Sequence, residues 1–304
     1  PIRSLSADLA NKDAFIFKPR DMVLRNGQFG GGGFPGTGGW NGGNPPGIPP
    51  FKYYLKDRVN AGEVKIQILD KDGNLVNEMD APKRKGVNLV GWNMRRKPPK
   101  TAEGGAKMDA AAFTAPMVMP GEYTVKLKVA DKEYTEKVTL VHDAEGEMTE
   151  ADRKAQHDAA MELFGMQEKL ASIVDTINKN QAALKDNLEK IQDKKGKQMA
   201  QDYYNKLEEQ RGKLIATKNK SVFADEKRLR EEISEVYSAV AGNEAAPSNL
   251  QKQRIELLEE ELKKEEKSTM DIMNQFHKKV MEVFAKEKIY IGPKQKVSMA
   301  GTSG

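Results

Sequence analysis

The chain holds 304 residues, with fifty Lys and Arg against forty-five Asp and Glu, a net charge of +5, 38% hydrophobic residues and no cysteine. Its length suits about two domains, and without cysteine there are no disulfides, thiol nucleophiles or thiolate metal sites. The small, interspersed basic excess is not the clustered face that nucleic acid requires, and no apolar run approaches the roughly 20 residues that span a bilayer.

Residues 1–50 read as an extended segment and linker. "NKDAFIFKPRDMVLR" suits a short extended stretch, with Phe15 and Phe17 on one side of an alternating pattern. A Gly/Pro-rich strap follows from Phe29 to Pro50. It lacks the GK[ST] of a phosphate-binding loop, and Pro35, Pro45, Pro46, Pro49 and Pro50 forbid a following helix. The strap is a connector by composition. A free linker has little use for three aromatic rings, so Phe29, Phe34 and Trp40 are candidate docking residues.

Residues 51–143 have a period of two. "FKYYLK" reads as a strand, and "EVKIQILD" places Val64, Ile66 and Ile68 on one face. "DKDGN" supplies an Asp-Gly turn and "LVNEMD" returns. "GVNLVGWNMR" is read as a strand burying Val87, Leu89 and Trp92, with a slip at Gly91. "GEYTVKLKVADKEYTEKVTLVHD" is a hairpin, with Tyr123, Val125, Leu127 and Val129 on one face and Tyr134, Val138 and Leu140 on the return. Short strands at this density predict a β-sandwich. The connection "KPPKTAEGGAKMDAAAFTAPMVMPG" is long for a sandwich loop and, apolar near its end, is expected to wrap over the sandwich or a partner.

Residues 147–290 turn helical. Thr149, with Asp152 three residues on, is the expected N-cap of a long helix whose apolar stripe includes Leu163, Met166, Leu170, Ile173, Ile177, Leu184, Leu188 and Ile191. "DKKGK" is the expected break. A second helix carries Met199, Tyr203, Leu207 and Leu214, and a third runs from about Asp225 to Ala241. The last, Asn249 to about Lys286, includes Leu250, Leu257, Leu258, Leu262, Met273, Phe276, Val280 and Phe284 in its stripe. Short connections favour an antiparallel bundle. Residues 291–304 read as a flexible tail.

Chemistry is sparse in this reading. Asp70, Asp72 and Asn74 resemble the start of a calcium loop, but Gly73 stands fourth where the sixth position needs glycine, and Ala81 stands where the twelfth needs Glu. His142, His157 and His277 have no metal-site spacing. "ELLEEELKKEEK" is the pattern of a solvated helix face. No catalytic, cofactor-binding or metal-binding residue is assigned.

Three stretches carry a resemblance. "EVKIQILDKDGNLVNEM", "KGVNLVGWNMR" and "MPGEYTVKLKVADKEYTEKVTLVHD" resemble the Ig-like sandwich module of flagellar-hook-capping type, through Asp70, Gly73, Gly86, Asn88, Trp92, Pro120, Gly121, Tyr123 and Val125. With "DAFIFKPRD", "NPPG" and "YYLKD" before the sandwich and a long helical segment after it, the order is similar to the C-terminal portion of large secreted bacterial proteins bearing sortilin-like, BNR-repeat β-propellers, often named glycosyl hydrolase-like. The resemblance implies an Ig/fibronectin-like β-sandwich followed by an antiparallel bundle of long helices, a propeller upstream of Pro1, and export to the periplasm or cell surface. It implies protein partners, either the chain's own propeller or a surface complex. Any hydrolase activity would reside in the propeller, and any glycan or peptide substrate would be one of the full-length protein. Three readings stay open at this point: a non-catalytic accessory and interaction segment, part of an extracytoplasmic hydrolase or peptidase, and a carbohydrate-binding sandwich using Trp40, Trp92 or Tyr53.

Overall fold

The computed structural model describes residues 9, 11–24, 50–103, 115–144, 146–217 and 226–289. A domain of two β-sheets is followed by four antiparallel helices. By contact, the chain divides into one unit of residues 1–97 and 115–157 and another of 98–114 and 158–304.

In the first unit the strands are β1 (Ala14–Ile16), β2 (Met22–Leu24), β3 (Phe51–Leu55), β4 (Val64–Leu69), β5 (Leu75–Asp80), β6 (Gly86–Val90), β7 (Gly121–Val129) and β8 (Lys132–His142). β1 and β2 come from the stretch read as a short extended segment. One sheet has the order β1-β3-β6 and the other β2-β8-β7-β4-β5. All pairings are antiparallel except β2 with β8.

Alternation drives this arrangement, because successive side chains point to opposite faces. Tyr53, Leu55, Ile66, Ile68, Val125 and Leu127 meet in one core between the sheets. Trp92, fully buried, lies 6.2 Å from the Phe51 ring and 5.8 Å from that of Tyr123. Its Nε1–H donates to the Arg95 carbonyl at 2.9 Å.

β6 departs from the sequence expectation. Val87 and Leu89 are 46% and 53% exposed, while Asn88, Val90, Trp92 and Met94 are buried. There is no slip at Gly91: the inward set keeps even numbers through it. Val87 and Leu89 looked like the buried set with Trp92, but Asn88 goes inward at little cost because its amide donates to the Arg84 and Gly86 carbonyls at 2.7 and 3.0 Å.

The helices are α1 (Glu150–Asn187), α2 (Lys194–Leu214), α3 (Leu229–Ala241) and α4 (Asn249–Lys286). Thr149 caps α1 as its sequence suggests, its Oγ1 accepting from the Asp152 N–H at 3.1 Å and Asp152 Oδ2 accepting from the Thr149 N–H at 3.2 Å. The break after α1 is earlier than "DKKGK". A 3₁₀ turn, Leu188–Lys190, leads to Asp193, which accepts from the Gly196 N–H at 2.8 Å and so starts α2 at Lys194. A Cβ on Gly196 would stand 2.7 Å from Val283 Cγ1, so glycine there lets α2 approach α4 closely.

Leu163, Leu170, Tyr203, Leu207, Ile233 and Leu258 belong to the second unit's core. The stripe of α4 runs through Ile255, Leu258, Leu262, Met273, Val280 and Phe284. Leu250 and Leu257, counted into that stripe from sequence, are 76% and 54% exposed. At 100° per residue both sit well off the axis set by Leu258 and Leu262. A buried ion pair joins Arg230 to Glu231. Glu231 Oε2 accepts from the N–H groups of Ala216 and Arg228 at 3.2 and 3.1 Å, and Arg230 donates to the Ala102 carbonyl at 3.0 Å. The segment after Lys97 is thereby tied into the helical unit.

Two outcomes test this packing. Trp92→Ala lowers the stability of the first unit by about 3–5 kcal/mol, whereas Leu89→Ser changes it by less than about 0.5 kcal/mol, both read from urea midpoints. Equal losses would return Leu89 to the core. Glu231→Gln removes the counter-charge of a buried guanidinium and costs about 3–5 kcal/mol in the helical unit; a variant as stable as the parent would show that the pair is solvated.

Candidate functional site

The outer faces of the two sheets differ. On the five-stranded sheet the outward positions are mostly polar, apart from Val23 and Val141, exposed side by side on β2 and β8; they carry ion pairs Lys65–Glu78 at 3.3 Å and Lys126–Glu133 at 2.8 Å, and a third between Lys137 and Glu122 at 2.5 Å. Gln67 donates to Glu78 at 2.6 Å across β4 and β5. This is the ordinary solvated face of an antiparallel sheet.

The outer face of the three-stranded sheet is apolar. Phe15, Tyr54 and Val87 stand side by side across β1, β3 and β6. One row along, Lys52 opposes Leu89, and its carbonyl accepts from the Phe17 N–H at 2.9 Å. The Phe15 ring stacks on Tyr54 at 5.3 Å and meets Phe17 edge-on at 4.8 Å. Of the six outward positions, only Lys52 is charged. Phe15 and Phe17 do share a side, as their spacing predicts, but it is the outer side, since Ala14 and Ile16 enter the core; both phenylalanines are nevertheless buried, so the exposed part of this face lies at Val87 and Leu89 on β6.

A cleft of about 380 Å³ opens between the start of β1, the end of β3 and the β7–β8 turn, lined in part by Asp13, Lys56, Asp57, Arg58, Asp131, Lys132 and Tyr134. Asp13 and Lys132 pair at 2.6 Å, and this contact holds the Asp13 carboxyl below its usual range. Three cations face three carboxylates in this lining, so the cleft selects neither charge. A smaller cavity, about 160 Å³, lies between α1 and α4 among Ile173, Thr176, Thr269 and Met273, with Lys169 and Glu266 paired at 2.6 Å on its wall. The hydroxyls of Thr176 and Thr269 already donate to carbonyls of their own helices, at 2.8 Å each.

The residues singled out in the sandwich hold its frame. Asp70 Oδ1 accepts from the N–H groups of Asp72 and Asn74 at 2.9 and 2.8 Å, with Gly73 at φ +82°, in the hairpin turn between β4 and β5. Gly86 (φ +90°) opens β6 and Gly121 opens β7 directly after Pro120. The Tyr123 hydroxyl donates to the Met119 carbonyl at 2.8 Å. Trp92 and Tyr53 are buried to the last atom, so neither ring can stack on a sugar. Burial holds the Tyr53 phenol up, and it donates to the Pro82 carbonyl. Phe29, Phe34 and Trp40 lie outside the described residues. The apolar outer row at Tyr54, Val87 and Leu89 is not legible where Val87 and Leu89 are read into the core; the available signal is that unbroken alternation back from a buried Trp92 puts Val90 and Asn88 inward.

Among the described residues no three His, Asp or Glu side chains converge as a metal-binding group. His157 Nδ1 lies 2.8 Å from the Met117 carbonyl. His277 is half-buried on α4, with Nδ1 buried and unpartnered, and burial pushes its pKa below the ordinary value.

No family model matches this chain, and no curated protein does. Among solved structures, CopC from Methylosinus trichosporium OB3b is similar over 42% of this chain and 94% of its own, at 17% identity and a TM-score of 0.22. A likeness of that size transfers neither a ligand nor a residue role.

His277 gives a pH prediction. Between its depressed folded pKa and the ordinary value near 6.5, the unfolded chain binds more protons than the folded one, so stability falls as pH falls through that window. Urea midpoints taken from pH 7 to 5 therefore drop less steeply in His277→Gln than in the parent. Parallel curves would mean that the ring is solvated.

Proposed function

We propose that this chain is a non-catalytic interaction segment of an exported β-propeller protein, with an Ig/fibronectin-like sandwich as its contact module and the helices as its support. The observation that carries the reading is the apolar outer face of the three-stranded sheet, where Val87 and Leu89 are exposed beside Tyr54. Exposed apolar surface of this kind marks contact sites more often than catalytic ones.

Two features support the Ig-like assignment. The order β1-β3-β6 against β2-β8-β7-β4-β5 splits the first two strands between the sheets and makes the chain cross from sheet to sheet, with β4–β5 and β7–β8 as hairpins. Tyr123 near the start of β7, bonding back to the Met119 carbonyl four residues upstream, has the form of a tyrosine corner. The segment order described above supports the propeller, the export and a protein partner.

Amine-reactive cross-linking of the native protein from its source, read by mass spectrometry, tests the proposal. Lys52, Lys83 and Lys85 flank the apolar face and are expected to link to polypeptide outside residues 1–304. Links confined to residues 1–304, in a preparation where the face exchanges hydrogen freely, would sink the reading.

A further inference from the structure

We propose that the outer edge of β6 receives an extended acidic peptide, with apolar residues at alternate positions, as an added strand. The inference rests on the interaction-segment reading and names the chemistry of the partner.

β6 is the last strand in the order β1-β3-β6, and among the described residues only β3 pairs with it. The last strand of the other sheet is different. There the Lys97 N–H donates to the Val76 carbonyl at 3.0 Å, and Asn77 donates to the Arg95 carbonyl at 2.8 Å, so a returning segment covers β5. Sheet edges left open are usually blunted by proline, a bulge or a charge within the strand. β6 reads Gly-Val-Asn-Leu-Val and has none of these.

Shape and charge define the occupant. A strand laid beside β6, about 4.8 Å away, sets every second side chain against Val87 and Leu89 on the outer face. Main-chain hydrogen bonds then supply affinity, and those alternate side chains supply selectivity. Lys83, Arg84 and Lys85 stand immediately before the strand, and Lys52 lies opposite Leu89. Lys85 is paired with Asp57 at 3.2 Å and Lys83 donates to the Gly62 carbonyl at 2.7 Å, while the Arg84 side chain is exposed. Three cations just before the strand against one carboxylate favour an acidic strand and repel a basic one.

The test uses the whole 304-residue chain and fluorescence anisotropy. The probe is a labelled synthetic octapeptide alternating Asp or Glu with Val or Ile. It is expected to bind saturably. The same peptide with Lys at the acidic positions, or with alternate amides N-methylated, binds at least about tenfold more weakly. Arg84→Glu and the double variant Val87→Lys/Leu89→Lys show a similar loss, with circular dichroism and thermal midpoint unchanged because these side chains are exposed. Absence of saturable binding overturns the inference. So does equal binding of the Lys peptide, indifference to the Val87/Leu89 change, or sedimentation showing that two copies of the chain pair through β6. Loss of peptide binding alongside cross-links from the native face to another polypeptide would end this inference and leave the interaction segment standing. Loss of both would end both.

Discussion

The β-domain depends on the burial of Trp92. Its ring sits between Phe51 of one sheet and Tyr123 of the other, so the separation of the sheets is set around a single side chain. A buried indole needs an acceptor. The Arg95 carbonyl supplies it, and this bond curls the chain after β6. From there the Arg96 N–H donates to the Pro116 carbonyl at 2.9 Å, and the Val118 N–H to the Met94 carbonyl at 2.9 Å. The connection thus leaves and re-enters the domain at one place, however long the stretch between Arg96 and Pro116. Tyr123 completes the frame by holding the Met119 carbonyl just before β7.

Fixing Trp92 inward also decides what faces outward. Side chains alternate along β6 without interruption, so an inward Trp92 requires inward Val90 and Asn88 and puts Leu89 and Val87 outside. The apolar outer row is thus a consequence of the core and not a local accident. The domain tolerates the inversion because Asn88 finds two carbonyls within its own turn. A polar residue is spent inside and two apolar ones outside, against the usual economy of burial. Burial is forgone at two alternate positions of one strand.

The legible and illegible parts of the sequence divide along the same physical line. β4 and β7 alternate, and their inward sets stand where the pattern puts them; on β8 Tyr134, Val138 and Leu140 also turn inward, though Glu136 shares their side and Val141 is exposed. α4 was bounded well because Ser248 caps its start, accepting from the Gln251 N–H at 3.2 Å. Apolarity and direction disagree at four positions. Val87 and Leu89 are apolar and outward; Leu250 and Leu257 are apolar and off the stripe. Hydrophobicity identifies candidates for burial, but the register is set by neighbours that a single chain read alone does not show. Asp193 taught the same lesson on a smaller scale: "DKKGK" looks like a break by composition, yet its first residue is a cap and the rest is helix. The candidate face was therefore hidden, since recognising it required first losing two residues from the core.

The helical unit shows that polar groups can settle a register as firmly as apolar ones. Tyr203 stacks on Phe276 with ring planes 2° apart at 5.6 Å, and its hydroxyl donates to Asn180 Oδ1 at 3.0 Å. Asn180 in turn donates to the Thr176 carbonyl at 2.8 Å. Nearby, Gln210 donates to Glu265 Oε2 at 2.8 Å and Gln181 to Glu208 at 2.8 Å. Sliding any of these helices by one turn would leave buried amides without partners, at a cost of about 1–3 kcal/mol for each. Leucine against leucine imposes no such penalty. The bundle is thereby held to one alignment.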